Sequence, residues 1–388
     1  MTRSGIKFVG LAICLAIFTG ALAGCGSTAD SKDIKIGGVF ELTGGVASYG
    51  QSAVNGAKLA FKQVNASGGV LGKKINFIIA DNKSEPSESA NAVTKLITQD
   101  KVAAIMGAVA SSNTLAAVQI ATDNKIPLLT PTSTNPKVTV DDNGTVKDYI
   151  FRSCFIDPFQ GTVMANFATK TLKAKTAVIY VDNSSDYSKG LAQFFEENFV
   201  KSGGQVLSKE AFLQKDQDFK ATLTKIKSVN PEVIYVPGYY EEVGKIVKQA
   251  RELGITVPML GGDGWDSPKL AEIAGKEVLN NSYFSNHYST EDKDPKVTQF
   301  VEDYKAEYNQ TPDALAALGY DGAMMLVDAI KRAGSAEPAK IKDALAQTKD
   351  LQLVTGLISL DANHNPIKSA VIIELKNGIQ TFKEKINP

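Results

Sequence analysis

The chain has 388 residues, with 42 lysines and arginines against 42 aspartates and glutamates, so it lacks the basic surface that a nucleic-acid or other polyanion partner requires. Its length suffices for two domains of ordinary size, each with its own core. With three cysteines and two histidines in all, neither a disulfide framework nor a metal site has its parts, and no cofactor is expected.

Arg3 and Lys7 form a positive start, Phe8 to Ala23 is uncharged and largely apolar, and Leu22-Ala23-Gly24-Cys25 closes the segment in the manner of a bacterial lipoprotein signal. A span this short, ending in small residues before a cysteine, suits a cleaved export signal better than a membrane-spanning helix. Residues 1–24 are expected to be removed, and Cys25 to carry lipid as the first mature residue, anchoring the chain outside the cytoplasmic membrane. The competing reading is an uncleaved anchor helix with a chance cysteine. Residues 25–32 are small and polar and read as a flexible tether. Cys14 lies in the leader and Cys25 takes lipid, so Cys154 has no partner and stability must come from the core.

From Ile34 the chain alternates short apolar runs with longer amphipathic stretches, the pattern of βαβ units around a parallel sheet. Ile34 to Phe40 reads as a strand. Gln51 to Val64 then sets Val54, Ala57, Phe61 and Val64 on one helical face, stopped by Gly68-Gly69. A strand at 75–80, a helix at 86–97 with Pro86 in its first turn, a strand at 102–106, a helix from Ser112 and a strand at 126–129 complete a first layer.

The same grammar restarts near Phe151, with helices at 160–171, 191–200, 219–227 and 241–253 and strands at 177–181, 206–212, 233–236 and 258–260. A strand at 282–286 precedes helices at 297–308, 315–332 and 341–347, and three short strands at 356–360, 369–375 and 380–383 end the chain. The outcome is an α/β fold of two doubly wound, Rossmann-like lobes.

Sites for catalysis are missing. His287 and His364 are far apart, and there is no HExxH, CxxC, P-loop or GxSxG. Gly261-Gly262-Asp263-Gly264 lacks the dinucleotide-binding spacing, and the adjacent pairs Glu196-Glu197, Glu241-Glu242 and Asp141-Asp142 read as solvated faces.

What remains are glycine-bearing polar loops after strand C-termini, where open α/β sheets hold ligands. Gly107 to Thr114 leads into a helix whose first amides and Ser111 suit a carboxylate, and the 130–136 loop, with Thr132 and Thr134, offers uncharged donors. Helix capping and turn chemistry account for both loops equally well on local grounds. On the other half, Asp263 lies between glycines that permit close approach by a cation, and Tyr49, Tyr187 and Tyr239 supply aromatic walls. Donors on one lobe and a carboxylate on the other fit a zwitterion.

Several motifs then add up in order and spacing: Thr43-Gly44 with Tyr49-Gly50, Asn55-Gly56-Ala57, Ala66-Ser67-Gly68-Gly69-Val70, Ser111-Ser112-Asn113-Thr114, the 130–136 loop, Tyr187-Ser188-Lys189-Gly190, Gly238-Tyr239-Tyr240, the 249–254 stretch and Gly261-Gly262-Asp263-Gly264. Across nearly all of the chain after the leader they resemble the type I periplasmic binding proteins of branched-chain amino-acid ABC transport, the leucine/isoleucine/valine-binding family.

The resemblance implies two lobes joined by a three-segment hinge, with 33–151 and 283–356 in one lobe and 152–282 and 357–388 in the other. It implies that the Ser111 and Thr134 hydroxyls and the Thr132 backbone hold a ligand α-carboxylate, that Asp263 faces the ammonium, that Tyr239 lies near it, and that Tyr49 and Tyr187 close over the ligand. Asp263 stands where many members have Glu, and a disulfide that some members form at positions matching Ser84 and Ala110 is impossible here. The expected role is an extracytoplasmic, lipid-anchored monomer that passes a branched-chain or other aliphatic amino acid to an ABC permease and ATPase, with no chemistry on the ligand. The alternatives are the same fold holding an amide, a urea or an aromatic acid, and an exported enzyme.

Overall fold

The computed structural model describes residues 33–387; the expected signal peptide, Cys25 and the tether lie outside the described residues. The chain opens with β1 (Ile34–Phe40), α1 (Ala47–Ala66), β2 (Ile75–Asp81), α2 (Pro86–Lys95), β3 (Ala104–Gly107), α3 (Ser111–Asp123), β4 (Leu128–Thr130) and β5 (Ile150–Arg152). These five strands pair in parallel in the order β2-β1-β3-β4-β5. Every residue of β3, β4 and β5 is buried, as a parallel sheet covered by helices on both faces demands.

The second run supplies α4 (Asp157–Asn166), β6 (Thr176–Asp182), α5 (Asp186–Lys201), β7 (Gln205–Phe212), α6 (Lys220–Ser228), β8 (Val233–Tyr235), α7 (Tyr240–Glu252), β9 (Met259–Gly261), α8 (Pro268–Ala274) and β10 (Ser282–Asn286). Next come α9 (Pro295–Tyr308), α10 (Ala314–Ala333) and α11 (Pro338–Ala346). The chain ends with β11 (Leu351–Leu353), β12 (Gly356–Leu360), β13 (Pro366–Ile367), β14 (Ala370–Lys376) and β15 (Ile379–Ile386). The second sheet runs β7-β6-β8-β9-β10-β14-β15, parallel through β10, with β14 and β15 antiparallel. Strands β11 to β13 form a separate antiparallel sheet.

The order β7-β6-β8-β9-β10 repeats in the second sheet what β2-β1-β3-β4-β5 does in the first. Each sheet therefore has a point, between β1 and β3 or between β6 and β8, where strand addition reverses direction. The loops leaving adjacent strands there diverge, and the crevice between them is the usual ligand position in such sheets.

The strand pairings cross the expected lobe boundaries at a few residues. Arg152 ends a strand of the first sheet, and 282–286 pairs with both β9 and β14, so 283–286 belongs with the second sheet. Residues 357–367 pair within the small sheet, and the second sheet resumes only at Ala370. Helix α10 returns to the first sheet's side, where it packs along α1 at very short range. A Cβ on Gly56 would lie 1.9 Å from the Ala316 carbonyl oxygen, and one on Gly319 would lie 2.1 Å from that of Ala53.

Candidate ligand-binding site

Six of the seven expected residues, Tyr49, Ser111, Thr132, Tyr187, Tyr239 and Asp263, line one cavity of about 20 Å³ together with Val109, Gly264 and Leu315. Tyr49 and Ser111 follow β1 and β3 at the first sheet's reversal point, and Tyr187 and Tyr239 follow β6 and β8 at the second's. Thr132 and Asp263 follow β4 and β9, the corresponding fourth strands of the two orders.

Asp263 is buried, and its carboxyl takes a hydrogen bond from the Tyr187 hydroxyl at 2.8 Å and lies 2.9 Å from His287 Nε2. Burial pushes His287 down to about 4, so the ring is neutral at pH 7 and donates its Nε2 proton. That ring stacks on Phe155 with centroids 3.7 Å apart. The carboxyl thus has two neutral donors, and no lysine or arginine among the described residues pairs with it. A buried carboxylate in this state is poised for a ligand cation. The flanking glycines are sterically required: a Cβ on Gly262 would lie 2.5 Å from the Tyr187 hydroxyl, and one on Gly264 would lie 2.7 Å from the Gly238 carbonyl. The Asp263 N–H donates to Gln160 Oε1 at 2.7 Å, which fixes the turn from below.

On the opposite wall, Ser111 opens α3, and no side chain of the preceding residue caps the helix. Its Oγ accepts only a long bond, 3.4 Å, from the Asn135 N–H, so its own proton is free for a carboxylate. The Thr132 hydroxyl donates to the Val109 carbonyl at 3.1 Å, while its N–H is held only loosely, 3.4 Å from Thr130 Oγ1. Of Thr132, the backbone is therefore the available donor.

Thr134 is not among the lining residues. Its hydroxyl is buried without a hydrogen-bond partner, and its carbonyl accepts the Asp157 N–H at 3.0 Å. The Asp157 carboxyl is also buried, with the Thr134 hydroxyl and Gln160 beside it but no hydrogen bond of normal geometry; burial pushes it up to about 8 against the easing effect of Thr134, and the nearby Asp263 charge adds to the rise. Arg152, fully buried, holds this loop by donating to the Ser133 and Asn135 carbonyls at 2.7 and 2.8 Å.

The two amides that precede the helix are already engaged, whereas those of the helix start itself, from Ser111, are not taken by Glu41. Glu41, directly after β1, already takes the Val109 and Ala110 N–H groups at 3.0 Å each and Asn113 Nδ2 at 2.8 Å. The donors left open on this wall are the Ser111 hydroxyl and the amides from Ser111 onward. Glu242, read as part of a solvated face, is buried and accepts the Lys215 N–H at 2.8 Å. Glu41 had one signal in the sequence, a carboxylate at the end of an apolar strand. His287, which backs the Asp263 carboxyl, and Leu315, which lines the cavity, had none, because they come from segments far along the chain.

The loops of the two sheets are in contact. The Tyr49 hydroxyl donates to the Gly264 carbonyl and accepts the Tyr240 N–H at 3.1 Å, Ser48 Oγ lies 2.8 Å from Ser267 Oγ, and Ser112 Oγ donates to Asp186 at 3.0 Å. A groove of about 410 Å³ opens beside the cavity along Gly44, Ser84, Asn113, Lys215, Tyr239 and Glu242. Its charges are already engaged, Lys215 with Glu85 at 3.1 Å and Glu242 with the Lys215 backbone, so the smaller cavity is the more selective site. At about 20 Å³ that cavity has room for roughly one water, so a larger ligand enters only when the loops part.

Residues 33–380 match the model of a family described as periplasmic binding protein. An amino acid binding protein of Pseudomonas aeruginosa is 31% identical over 358 residues, which is 91% of this chain and 90% of that protein. The leucine-, isoleucine-, valine-, threonine- and alanine-binding protein of the same organism is 29% identical over 343 residues, 88% of this chain and 89% of its own length. Among solved structures, the leucine binding protein LivK of Thermotoga maritima is 43% identical with a TM-score of 0.87, covering 92% of this chain and 99% of that one. The branched-chain amino acid transporter substrate binding protein LivJ of Streptococcus pneumoniae, solved in complex with isoleucine, is 42% identical with a TM-score of 0.87, covering 92% and 100%.

Proposed function

The chain belongs to the periplasmic binding protein family, and from that premise we propose that it captures a branched-chain or other aliphatic amino acid for an ABC importer. One lobe is built on the first sheet with α9 to α11 and the small sheet, the other on the second sheet. The ligand ammonium meets Asp263, with Tyr239 beside it, and the carboxylate meets the Ser111 hydroxyl and the Thr132 N–H. The aliphatic side chain packs on Val109, Leu315 and the rings of Tyr49 and Tyr187. Binding draws the lobes together, and the closed form is what the permease accepts. No bond of the ligand is made or broken. Cys25 anchors the monomeric protein by lipid to the outer side of the membrane.

The observation that carries this reading is the buried Asp263 carboxyl, supplied with neutral donors and no cation, facing a wall of hydroxyl and amide donors. A zwitterion matches both walls at once, and leaves no buried charge unpaired. A calorimetric survey of leucine, isoleucine, valine and alanine is the test, with the recovered ligand analysed for change. One-to-one binding of at least one of them, recovered intact, is expected. Turnover of the ligand, or binding of none of the four, contradicts the reading.

A further inference from the structure

We infer that Asp266 is a positioning residue for ligand capture: from the second lobe it clasps the N-terminus of α10 and so seats Leu315 against the cavity when the lobes close. The choice of leucine as the probe rests on the amino-acid reading above; the clasp itself does not.

Residues 263–267 form one short turn that ties together ligand and closure. Asp263 faces the cavity, the Gly264 carbonyl accepts the Tyr49 hydroxyl, and Ser267 Oγ meets Ser48 Oγ at 2.8 Å. Between them, Asp266 Oδ2 accepts the Ala314 N–H at 2.8 Å. Ala314 is the first residue of the 20-residue α10, whose leading amides have no partners within the helix and carry its positive end. Leu315, the next residue, lines the cavity. Asp266 is aimed from its own side by Asn286 Nδ2 at 2.8 Å and Gln380 Nε2 at 2.5 Å.

The helix end carries a second carboxyl. Asp313 caps it through the Ala316 N–H at 2.9 Å and takes the Ser52 hydroxyl of α1 at 2.6 Å. Burial raises both carboxyls; the charge of Asp263 adds to it at Asp266, and the charge of Asp266 adds to it at Asp313, which is pushed up to about 7. Asp263 faces the pair from its own turn, Tyr288 from the segment after β10 and Tyr304 from α9, and among the described residues no lysine, arginine or histidine forms an ion pair with either carboxyl. With the lobes parted, the two carboxyls separate and return toward ordinary values. Closing therefore takes up a proton. Closure is strongest on the acid side, weakens as pH rises toward about 7, and levels off above it.

The test compares the full chain with Asp266→Ala, Asp266→Asn and Asp313→Asn, by leucine calorimetry and small-angle scattering with and without leucine, at about pH 5.5 and about pH 8.5. Asparagine keeps an oxygen on Ala314 and Asn286, and can offer its amide to a turned Gln380. We expect Asp266→Ala to bind leucine at least ~10-fold more weakly at the lower pH and to be more extended than the wild type. Asp266→Asn should recover most of the affinity, and both asparagine variants should lose much of the wild-type pH dependence. Asp157, pushed to about 8, is common to all the proteins, so its titration cancels in the comparison. An Asp266→Ala protein as tight and as compact as the wild type, or parallel pH profiles in the wild type and the asparagine variants, overturns the clasp. If Asp266→Ala does not fold, the asparagine profiles decide. If the wild type binds no leucine, the ligand reading fails, and the relative dimensions of the ligand-free proteins still decide the clasp.

Discussion

Ser111 and Thr134 were expected to share one task, and the structure separates them. Ser111 lines the cavity with its hydroxyl proton uncommitted, whereas Thr134 points into a buried corner beside Asp157. Replacing Ser111 with Ala removes a hydrogen bond to a charged group, a loss of ~1.5–3 kcal/mol, or ~10- to 150-fold in affinity. Thr134→Ala should cost several-fold less, because Thr134 does not line the cavity. Calorimetry of the two variants side by side checks the ranking; equal losses would return Thr134 to the carboxylate site. The loop hydroxyls that looked like ligand donors mostly serve the fold, since Thr130 and Ser133 donate to the Ala108 and Val109 carbonyls at 2.7 and 2.9 Å. Local sequence cannot tell a hydroxyl that binds ligand from one that ties two loops together, because both uses need the same atom in the same kind of turn.

Among elements, the strands and long helices were legible because each buries a periodic face. The expected strands at 34–40 and 75–80 and the helix at 241–253 match β1, β2 and α7 to within a residue at either end. Helices α4 and α5 start earlier than expected, at Asp157 and Asp186, because each first turn holds one aromatic residue, Phe159 or Tyr187, which is too little to mark an apolar stripe. Helix α8 and strands β11 and β13 are seven residues or shorter, too brief for a period to register. The α1–α10 contact shows what a glycine in a helical pattern stands for: Gly319 lies where any Cβ would enter the Ala53 carbonyl. Gly319→Leu should therefore destabilise the protein by ~1–3 kcal/mol or more through overpacking. A denaturant midpoint unchanged from the wild type would show that the helices can part freely. Because α10 also carries Leu315 into the cavity, the same variant should weaken ligand binding.

For the whole molecule, the cavity lies where loops of both sheets meet, which is why Leu315 on its wall and His287 behind Asp263 could not be read from local pattern. Acid sensitivity follows from His287, whose value is depressed from about 6.5 to about 4 by burial. Its contribution to stability is complete above about 6.5 and is lost as pH falls toward about 4. Thermal melts across that range should fall in the wild type and fall less in His287→Gln, and parallel curves would remove His287 from the account. Membrane attachment is a separate matter: Cys25→Ser should release the chain to the soluble fraction or leave it unprocessed, whereas equal membrane retention argues against lipid at that residue.

The central claim is that Asp263 pairs with a ligand ammonium between the lobes, and titrating leucine and its deaminated analogue 4-methylpentanoate into wild type and Asp263→Ala tests it most directly. The account predicts that the wild type binds leucine and rejects the analogue, and that Asp263→Ala loses ~3–5 kcal/mol for leucine, about two to four decades in dissociation constant. Equal binding of leucine by the two proteins, or of both ligands by the wild type, contradicts it.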